Sequence, residues 1–286
     1  MEPSANFNIP EATLKVTVQA GRPILGEFLQ ITLFSEGSFD TLLTQVLQNI
    51  TEIEKTLDLD NPKAEIMQLL RSEGDDTFEM SVSVAQVVEA ALDFNSISNG
   101  AFEPFREDAG HLDLRSLIRG HLVDQTVKQL LKSDPYLMGV VQLAEGMRFF
   151  NCPKKSIHVR MGGNFEIEKE LGLFKNAFST TEAGGSMFDN ESATIYLQPL
   201  RHGLSGRHTV SVIADECMTA NALSKVGLFA DAPTVQKCVT DLHAQILIFD
   251  ERGEIVEIYE EVPLSRAYSS DQWNSSYSSY DDSSKD

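Results

Sequence analysis

The sequence predicts an α+β protein, and two observations carry that prediction. Helical and strand patterns occur along the whole chain without the regular strand–helix–strand repeat that is typical of parallel sheets. The chain has 286 residues, of which 42% are hydrophobic, and this is enough to bury a full core. We therefore expect a single globular unit over residues 25–262.

Runs of alternating and β-branched residues predict the strands. They are expected at residues 13–18, 28–34, 139–143, 156–159 and 209–215, followed by a hairpin over residues 244–260 that turns at residues 251–253. Apolar residues at helical spacing predict helices at residues 38–58, 83–94, 111–131 and 216–229. Ser83 and Gln86 have the spacing of a capping box at the start of the second helix.

The two ends of the chain differ from the middle. Residues 1–24 are expected to form a loose N-terminal arm. Residues 263–286 are rich in serine and aspartate, and they offer too little apolar surface to form a core. We expect them to be a disordered tail.

The charge of the chain limits its partners. The formal net charge is -20, which disfavours nucleic acids and anionic membrane surfaces because both repel an acidic protein. The chain begins without the basic and apolar segments of a signal peptide. The three cysteines, Cys152, Cys217 and Cys238, are isolated from one another, as is typical of a reducing compartment. We expect a cytoplasmic protein.

General catalytic motifs are not found in the sequence. It contains neither the glycine-rich dinucleotide fingerprint nor a P-loop. His202 and His208 flank a glycine-containing segment, but a spacing of six in a loop is not typical of a zinc site. We interpret them as a surface pair.

The predicted helix at residues 111–131 has an unusual charge pattern. It contains Asp113, Arg115, Arg119, Gly120 and Asp124, with glycine where a helix prefers alanine. A surface ion network of Asp113, Arg119 and Asp124 is one explanation, because runs of charge are usually solvated. That network leaves the glycine unexplained.

The order of eight short segments gives the functional signal. They are "LGEFLQITLF" from Leu25, "AEIMQLL" from Ala64, "NGAFEPF" from Asn99, "DLRSLIRGHLVD" from Asp113, "LAEG" from Leu143, "FSTTE" from Phe178, "QPLRHG" from Gln198 and "SVIADECMTANALSKVGLF" from Ser211. In this order, over residues 25–259, they resemble the ApbE family, the FAD:protein FMN transferases.

The resemblance implies an ApbE-like (T-fold-like) fold of two closely packed lobes with a ligand cleft between them. It also implies FAD as substrate or ligand, and an acceptor protein whose Thr or Ser hydroxyl receives FMN. Arg119 takes the place of the family's lysine and Gly120 is kept, at a helix entrance where a cation would favour the pyrophosphate. The implied cofactor-binding residues are Glu65, Gly100, Glu103, Arg119, Gly120, Asp124, Thr180 and Lys225.

The metal position of the family is changed in this chain. The resemblance implies a magnesium ion held by an aspartate and a threonine, but these positions are Asn221 and Lys225. An asparagine is a weak neutral ligand, and a lysine ammonium competes with a divalent cation. We expect Asn221 to be a residual ligand and magnesium to bind weakly or not at all.

Further departures add side chains at the family's glycine turns. Arg115–Ser116 replace a glycine pair, Ala144–Glu145 replace another, and Glu182 stands where the family has glycine. Three hypotheses follow. The chain is an FMN transferase, or a catalytically silent homologue that binds FAD or another nucleotide. The third is a ligand-free scaffold or interaction protein whose own side chains fill the old cleft.

Overall fold

The computed structural model describes residues 18–34, 37–72, 79–105, 112–153, 155–161, 167–183 and 208–261. The strands in these residues are β1 (Val18–Ile24), β2 (Glu27–Leu33), β3 (Gly139–Leu143), β4 (Gly146–Phe150), β5 (Ser156–Met161), β6 (Ile167–Gly172), β7 (Ala177–Ala183), β8 (His208–Ala214), β9 (Gln245–Phe249) and β10 (Ile255–Glu260). The helices are α1 (Asp40–Leu57), α2 (Glu65–Arg71), α3 (Val82–Ile97), α4 (Leu112–Ser133), α5 (Cys217–Phe229) and α6 (Ala232–Asp241).

Eight strands form one sheet in the order β1–β2–β3–β4–β7–β8–β9–β10. Every described pair in it is antiparallel. Helices α1 to α4 are inserted between the neighbours β2 and β3, and α5 and α6 between the neighbours β8 and β9. Antiparallel neighbours need no crossover helix, which explains the irregular order of elements in the sequence. The predicted mixture of helix and sheet is confirmed, whereas the division into two lobes with a cleft stays a prediction.

The helices cover one face of the sheet, and the β5–β6 hairpin packs against the other. Successive strand residues point to opposite faces. On β3, Val141 and Leu143 therefore join the buried cluster that includes the helices, whereas Val140 joins the cluster that includes the hairpin. The hairpin cluster contains Phe149, Phe178 and Phe249 from the sheet with Ile157, Val159, Leu171 and Leu173 from β5, β6 and the residue after it.

Helix α4 is the central element of the helical layer. It contacts α1, α3 and α5, and also β3 and β4 of the sheet. Leu117, Ile118, Leu122 and Val123 are fully buried. Helix α1 has one buried face, and its apolar residues follow the helical period clearly. Helix α4 is buried on several sides, so its apolar residues are spread more widely around the helix.

The sequence predicts several element boundaries to within a few residues, but it places one cap wrongly. The helix expected at residues 111–131 is α4, and the strand expected at residues 28–34 is β2. The cap at Ser83 is wrong, because α3 begins at Val82 and the hydroxyl of Ser81 accepts a hydrogen bond from the Val84 N–H at 3.4 Å. Ser81 has the extended backbone of an N-cap, whereas Ser83 lies inside the first turn.

The predicted N-terminal arm also differs from the structure. Residues Val18–Ile24 form β1 and pair along their whole length with β2, so this part of the arm belongs to the sheet. Residues 1–17, the predicted tail at 263–286 and His202 lie outside the described residues. The sequence patterns do not predict β4, β6, β7, α2 or α6. Of the helices in the described ranges, none combines the length and the apolar character needed to cross a membrane.

Candidate functional site

Helices α4 and α5 meet in close contact at Gly120. A Cβ atom at Gly120 would lie 2.5 Å from Met218 Cα and 2.7 Å from Met218 N, closer than real side chains come. Glycine is therefore needed for α5 to begin against α4. The expectation that Gly120 lies at a helix entrance is wrong, because it lies inside α4. Its contact with a ligand stays a prediction.

Asp124 stabilises the first turn of α5. Its Oδ1 accepts from the Cys217 N–H at 3.0 Å, and its Oδ2 accepts from the Met218 N–H at 2.9 Å. Arg148 Nη1 lies 2.7 Å from Oδ1. Glu216, the residue before α5, makes no side-chain cap, so Asp124 provides the acceptor that a local N-cap would have provided. Burial raises the pKa of Asp124 although the guanidinium and the two N–H donors favour its ionised form.

Arg119 lies between two glutamates from different turns. Its Nη2 is 2.9 Å from Glu27 Oε1, directly after the β1–β2 turn, and its Nη1 is 3.3 Å from Glu145 Oε2 in the β3–β4 turn. The Ser116 hydroxyl donates to the other oxygen of Glu145 at 3.0 Å. The positive charge expected for a pyrophosphate is thus opposed by two carboxylates of the chain itself.

Asn221 joins α5 to α4 and β4. Its Nδ2 donates to the Ser116 carbonyl at 2.8 Å, and its Oδ1 lies 3.9 Å from Cys217 Sγ. A Cβ atom at Gly146 would lie 2.6 Å from Asn221 Oδ1, so β4 passes directly over the amide. Burial raises the pKa of the Cys217 thiol well above its usual value, which keeps the sulfur neutral beside the amide.

Lys225 lies one turn after Asn221 and begins a chain of hydrogen bonds. It is 6% exposed, and its Nζ donates to Thr181 Oγ1 at 3.2 Å. Thr181 Oγ1 is 2.8 Å from Ser224 Oγ, which donates to the Asn221 carbonyl at 2.8 Å. Because a hydroxyl has one proton, Thr181 must donate to Ser224 and accept from Lys225. The chain of bonds ties α5 to β7.

These side chains do not fit a magnesium site. Magnesium prefers carboxylate, phosphate and water oxygens, arranged as an octahedron. Asn221 offers one amide oxygen, and the ammonium of Lys225 repels a divalent cation. Within the described ranges, no group of three or more His, Cys, Asp or Glu is placed to hold a metal ion.

Glu65, Gly100 and Glu103 lie in the segments that flank α3. The carboxylate of Glu65 accepts a hydrogen bond from the N–H of Ser81, the N-cap of α3. Gly100 follows the end of α3 with φ +81°, a left-handed conformation that favours glycine. Glu103 is exposed, and its N–H donates to Asp113 Oδ2 at 2.8 Å. Each of the three thus has a local role in the chain around α3.

Thr180 lies on β7 next to Thr181, and its side chain points to the face of the sheet opposite to α4 and α5. Its N–H donates to the Glu145 carbonyl at 3.3 Å, and its hydroxyl lies 3.3 Å from Ser211 Oγ. Of the residues that the sequence singles out, the structure brings together Arg119, Gly120, Asp124, Asn221 and Lys225 at the junction of α4, α5, β4 and β7.

Sequence reasoning misses Glu27 and Ser116 as partners in this cluster. Glu27 directly follows Gly26, whose φ of +77° marks the turn, and that glycine was the available signal. Arg115, which the scaffold hypothesis places in the family's cleft, forms two hydrogen bonds of 2.9 Å with Asp60 and lowers the pKa of that exposed carboxyl. Arg115 is thus the charged residue of α4 that forms an ion pair with an exposed carboxylate at the surface.

The fold is similar to that of solved ApbE proteins. The ApbE protein from Thermotoga maritima matches with a TM-score of 0.63 and 17% identity, over 85% of this chain and 97% of that chain. The flavin transferase ApbE from Vibrio cholerae matches with a TM-score of 0.63 and 12% identity, over 91% and 98%. The flavinyl transferase ApbE from Pseudomonas stutzeri, in its apo form, matches with a TM-score of 0.58 and 14% identity, over 85% and 93%.

No family profile matches the chain, and no curated protein matches it in sequence. At these identities the likeness concerns the fold. The ApbE-like fold that the order of eight sequence segments predicts is therefore confirmed.

Proposed function

We propose that this protein is a catalytically silent ApbE-like protein, which keeps the fold of flavin transferases without transferring FMN by a metal-assisted route. The observation that supports this most directly is the pair Asn221 and Lys225. Both are buried in α5, and both hydrogen-bond to neighbouring protein groups, Ser116 and Thr181.

The chemistry of the transfer explains why this pair matters. Moving FMN from FAD to a hydroxyl forms a phosphoester bond, breaks the pyrophosphate and releases AMP. A divalent ion, where a protein holds one, would neutralise the charge that develops on the phosphate oxygens. An ammonium held against Thr181 supplies one positive charge but no coordination, so the developing charge is stabilised less.

The surroundings of Arg119 support weak binding of FAD as well. A phosphate approaching Arg119 also approaches Glu27 and Glu145, and like charges in a partly buried site repel strongly. Among the two silent alternatives, this repulsion supports the ligand-free scaffold over a homologue that binds FAD tightly.

A second candidate function is FMN transfer to an acceptor protein. The extent of the structural likeness favours it, since 85–91% of this chain matches proteins described as flavin or flavinyl transferases or as ApbE. In that case Arg119 would orient a phosphate, Asn221 would be a residual ligand, and Glu65, Gly100, Glu103 and Thr180 would line the flavin site.

AMP release separates the two functions. The unaltered protein is incubated with FAD and magnesium, AMP is measured by chromatography, and covalently bound flavin is measured by fluorescence after denaturation. The Vibrio cholerae flavin transferase provides the active control. We expect AMP at the level of buffer alone. Magnesium-dependent release that disappears in Asn221→Ala would establish the second candidate and reject the first.

A titration of FAD fluorescence separates the ligand-free form from the nucleotide-binding form. We expect no saturable quenching at tens of micromolar FAD. A dissociation constant in that range would correspond to a binding free energy of roughly -6 kcal/mol. Saturable quenching without AMP release would instead identify a silent homologue that binds FAD.

A further inference from the structure

The guanidinium of Arg119 is divided between two carboxylates. Nη2 contacts one oxygen of Glu27, and Nη1 contacts one oxygen of Glu145. Neither carboxylate forms the parallel pair of bonds that makes arginine pairs strong. Arg119 Nε is buried and has no hydrogen-bond partner among the described residues. The donors of this guanidinium are therefore satisfied incompletely.

Arg119 and its two carboxylate partners together carry a net negative charge. Two carboxylates face one guanidinium, and the side chains of Arg119, Glu27 and Glu145 are only 18%, 33% and 16% exposed. At such burial the repulsion between the carboxylates is screened weakly by solvent. Neutralising one of them leaves a balanced pair and a donor that is free to bind another anion.

Glu145 can lose its charge without losing the turn that carries it. Its carbonyl accepts from the Thr180 N–H, and the neighbouring Ala144 has φ +50°. The main chain of the turn is thus held by β7, while the side chain reaches Ser116 and Arg119. A glutamine at this position keeps an oxygen for the Ser116 hydroxyl.

We propose that Glu145 is an internal anion that blocks a site for phosphate-type oxyanions at Arg119. The Glu145 oxygen on Nη1 occupies a position that an oxygen of a phosphate or diphosphate would take, while Nη2 stays with Glu27. The inference rests on the proposed function, because it gives the reason why FAD binds weakly there.

Calorimetry with inorganic pyrophosphate, in the absence of metal and FAD, tests the inference. The unaltered protein should show no saturable binding at about 1 mM, and Glu145→Gln should bind at least roughly tenfold more tightly. Combining Glu145→Gln with Arg119→Met should abolish that gain. Glu27→Gln should also bind pyrophosphate more tightly than the unaltered protein. If urea denaturation shows that Glu145→Gln does not fold, Glu27→Gln serves as the test in its place.

Asp60→Asn is the matched control, because it removes the carboxylate from the other arginine pair of α4, that of Arg115. We expect no gain for it. An equal gain in the control would mean nonspecific binding to a less acidic protein, and it would overturn the inference. So would a folded Glu145→Gln without a gain, or a gain that survives the loss of Arg119. None of these outcomes depends on AMP release by the unaltered protein, so the two proposals fail separately.

Discussion

His121 is a buried imidazole of α4 that the fold keeps neutral. It is 2% exposed, and its Nε2 has no hydrogen-bond partner among the described residues. Burial, and secondarily the charge of Lys128, lower its pKa from 6.5 to about 4. The unfolded chain therefore binds a proton at a higher pH than the folded chain does. This contribution to stability is complete above about pH 6.5 and is lost as the pH falls toward 4.

We expect His121→Leu to weaken the dependence of stability on pH. The free energy of unfolding of the unaltered protein should fall by roughly 2–3 kcal/mol more than that of the variant between pH 7 and pH 4.5. Urea denaturation at both pH values measures this difference. The titration of other groups, Asp124 among them, cancels in the comparison. Equal losses in both proteins would contradict a neutral buried His121.

The metal position gives a second prediction at the scale of residues. Changing Asn221→Asp together with Lys225→Thr should create a site for a divalent ion, because a carboxylate and a hydroxyl replace an amide and an ammonium. Calorimetry should show magnesium binding to the double variant and at most weak binding to the unaltered protein. The single change Asn221→Asp, which keeps the ammonium, is the control and should gain less. Tight magnesium binding by the unaltered protein would reject the charge argument.

At this scale the sequence singles out individual residues but does not indicate what they contact. Arg119 is singled out by the resemblance alone. Its partners Glu27 and Glu145 are 92 and 26 positions away in the chain, and no local pattern connects them. Gly120 is likewise recognisable as a required glycine, but Met218, the residue that requires it, is equally remote.

At the scale of elements, the contact between α4 and α5 depends on the absence of a side chain. We expect Gly120→Ala to destabilise the protein by roughly 1–3 kcal/mol, because the new Cβ would overlap Met218 Cα and N. Alanine is the better helix former by about 1 kcal/mol, so a net loss identifies packing as the cause. Urea denaturation measures the change in unfolding free energy.

Gly172→Ala in β6 is the matched control, because its Cβ would meet no atom within 4 Å. It should leave stability nearly unchanged. If Gly120→Ala were as stable as this control, the two helices would not be in the close contact described above.

Long periodic elements are predictable and short ones are not. Helix α1 repeats its buried positions over 18 residues, whereas β4 has five residues, four of them buried on a strand that is covered on both faces. Such a strand has no polar alternation to reveal it. The choice between Ser81 and Ser83 as the cap of α3 follows from where the helix begins, which packing decides.

At the scale of the whole molecule, the eight-stranded sheet joins the N-terminal and C-terminal halves. Strands β4 and β7 connect the part that carries α1 to α4 with the part that carries α5 and α6. We expect one cooperative unfolding transition in urea. The transition followed by far-UV circular dichroism should coincide with thiol labelling of the three buried cysteines, which are Cys152 in the β4–β5 connection, Cys217 in α5 and Cys238 in α6. Labelling of Cys217 or Cys238 before the loss of secondary structure would show that the halves unfold separately.

The overall class was predictable because composition and periodicity act along the whole chain, and the order of eight segments adds the fold. The order of the strands was not predictable, because β2 pairs with β3 across more than a hundred residues of sequence. The pairing is specified by which faces are apolar once α1 to α4 have packed, and a linear pattern does not contain that information.

The remote cap of α5 has a consequence for how the chain acquires its structure. Asp124 reaches N–H groups 93 and 94 positions later, and the residue before α5 offers no substitute. During synthesis, α4 is therefore complete long before its acceptor is used, and α5 begins without its most important initiating bond. Closing so long a loop is slow, because its entropy must be lost before the contact forms. We therefore expect α5 to dock onto α4 late in folding. In a nascent chain released before residue 217, Asp124 would keep Arg148 as a partner but lack the two N–H donors of α5.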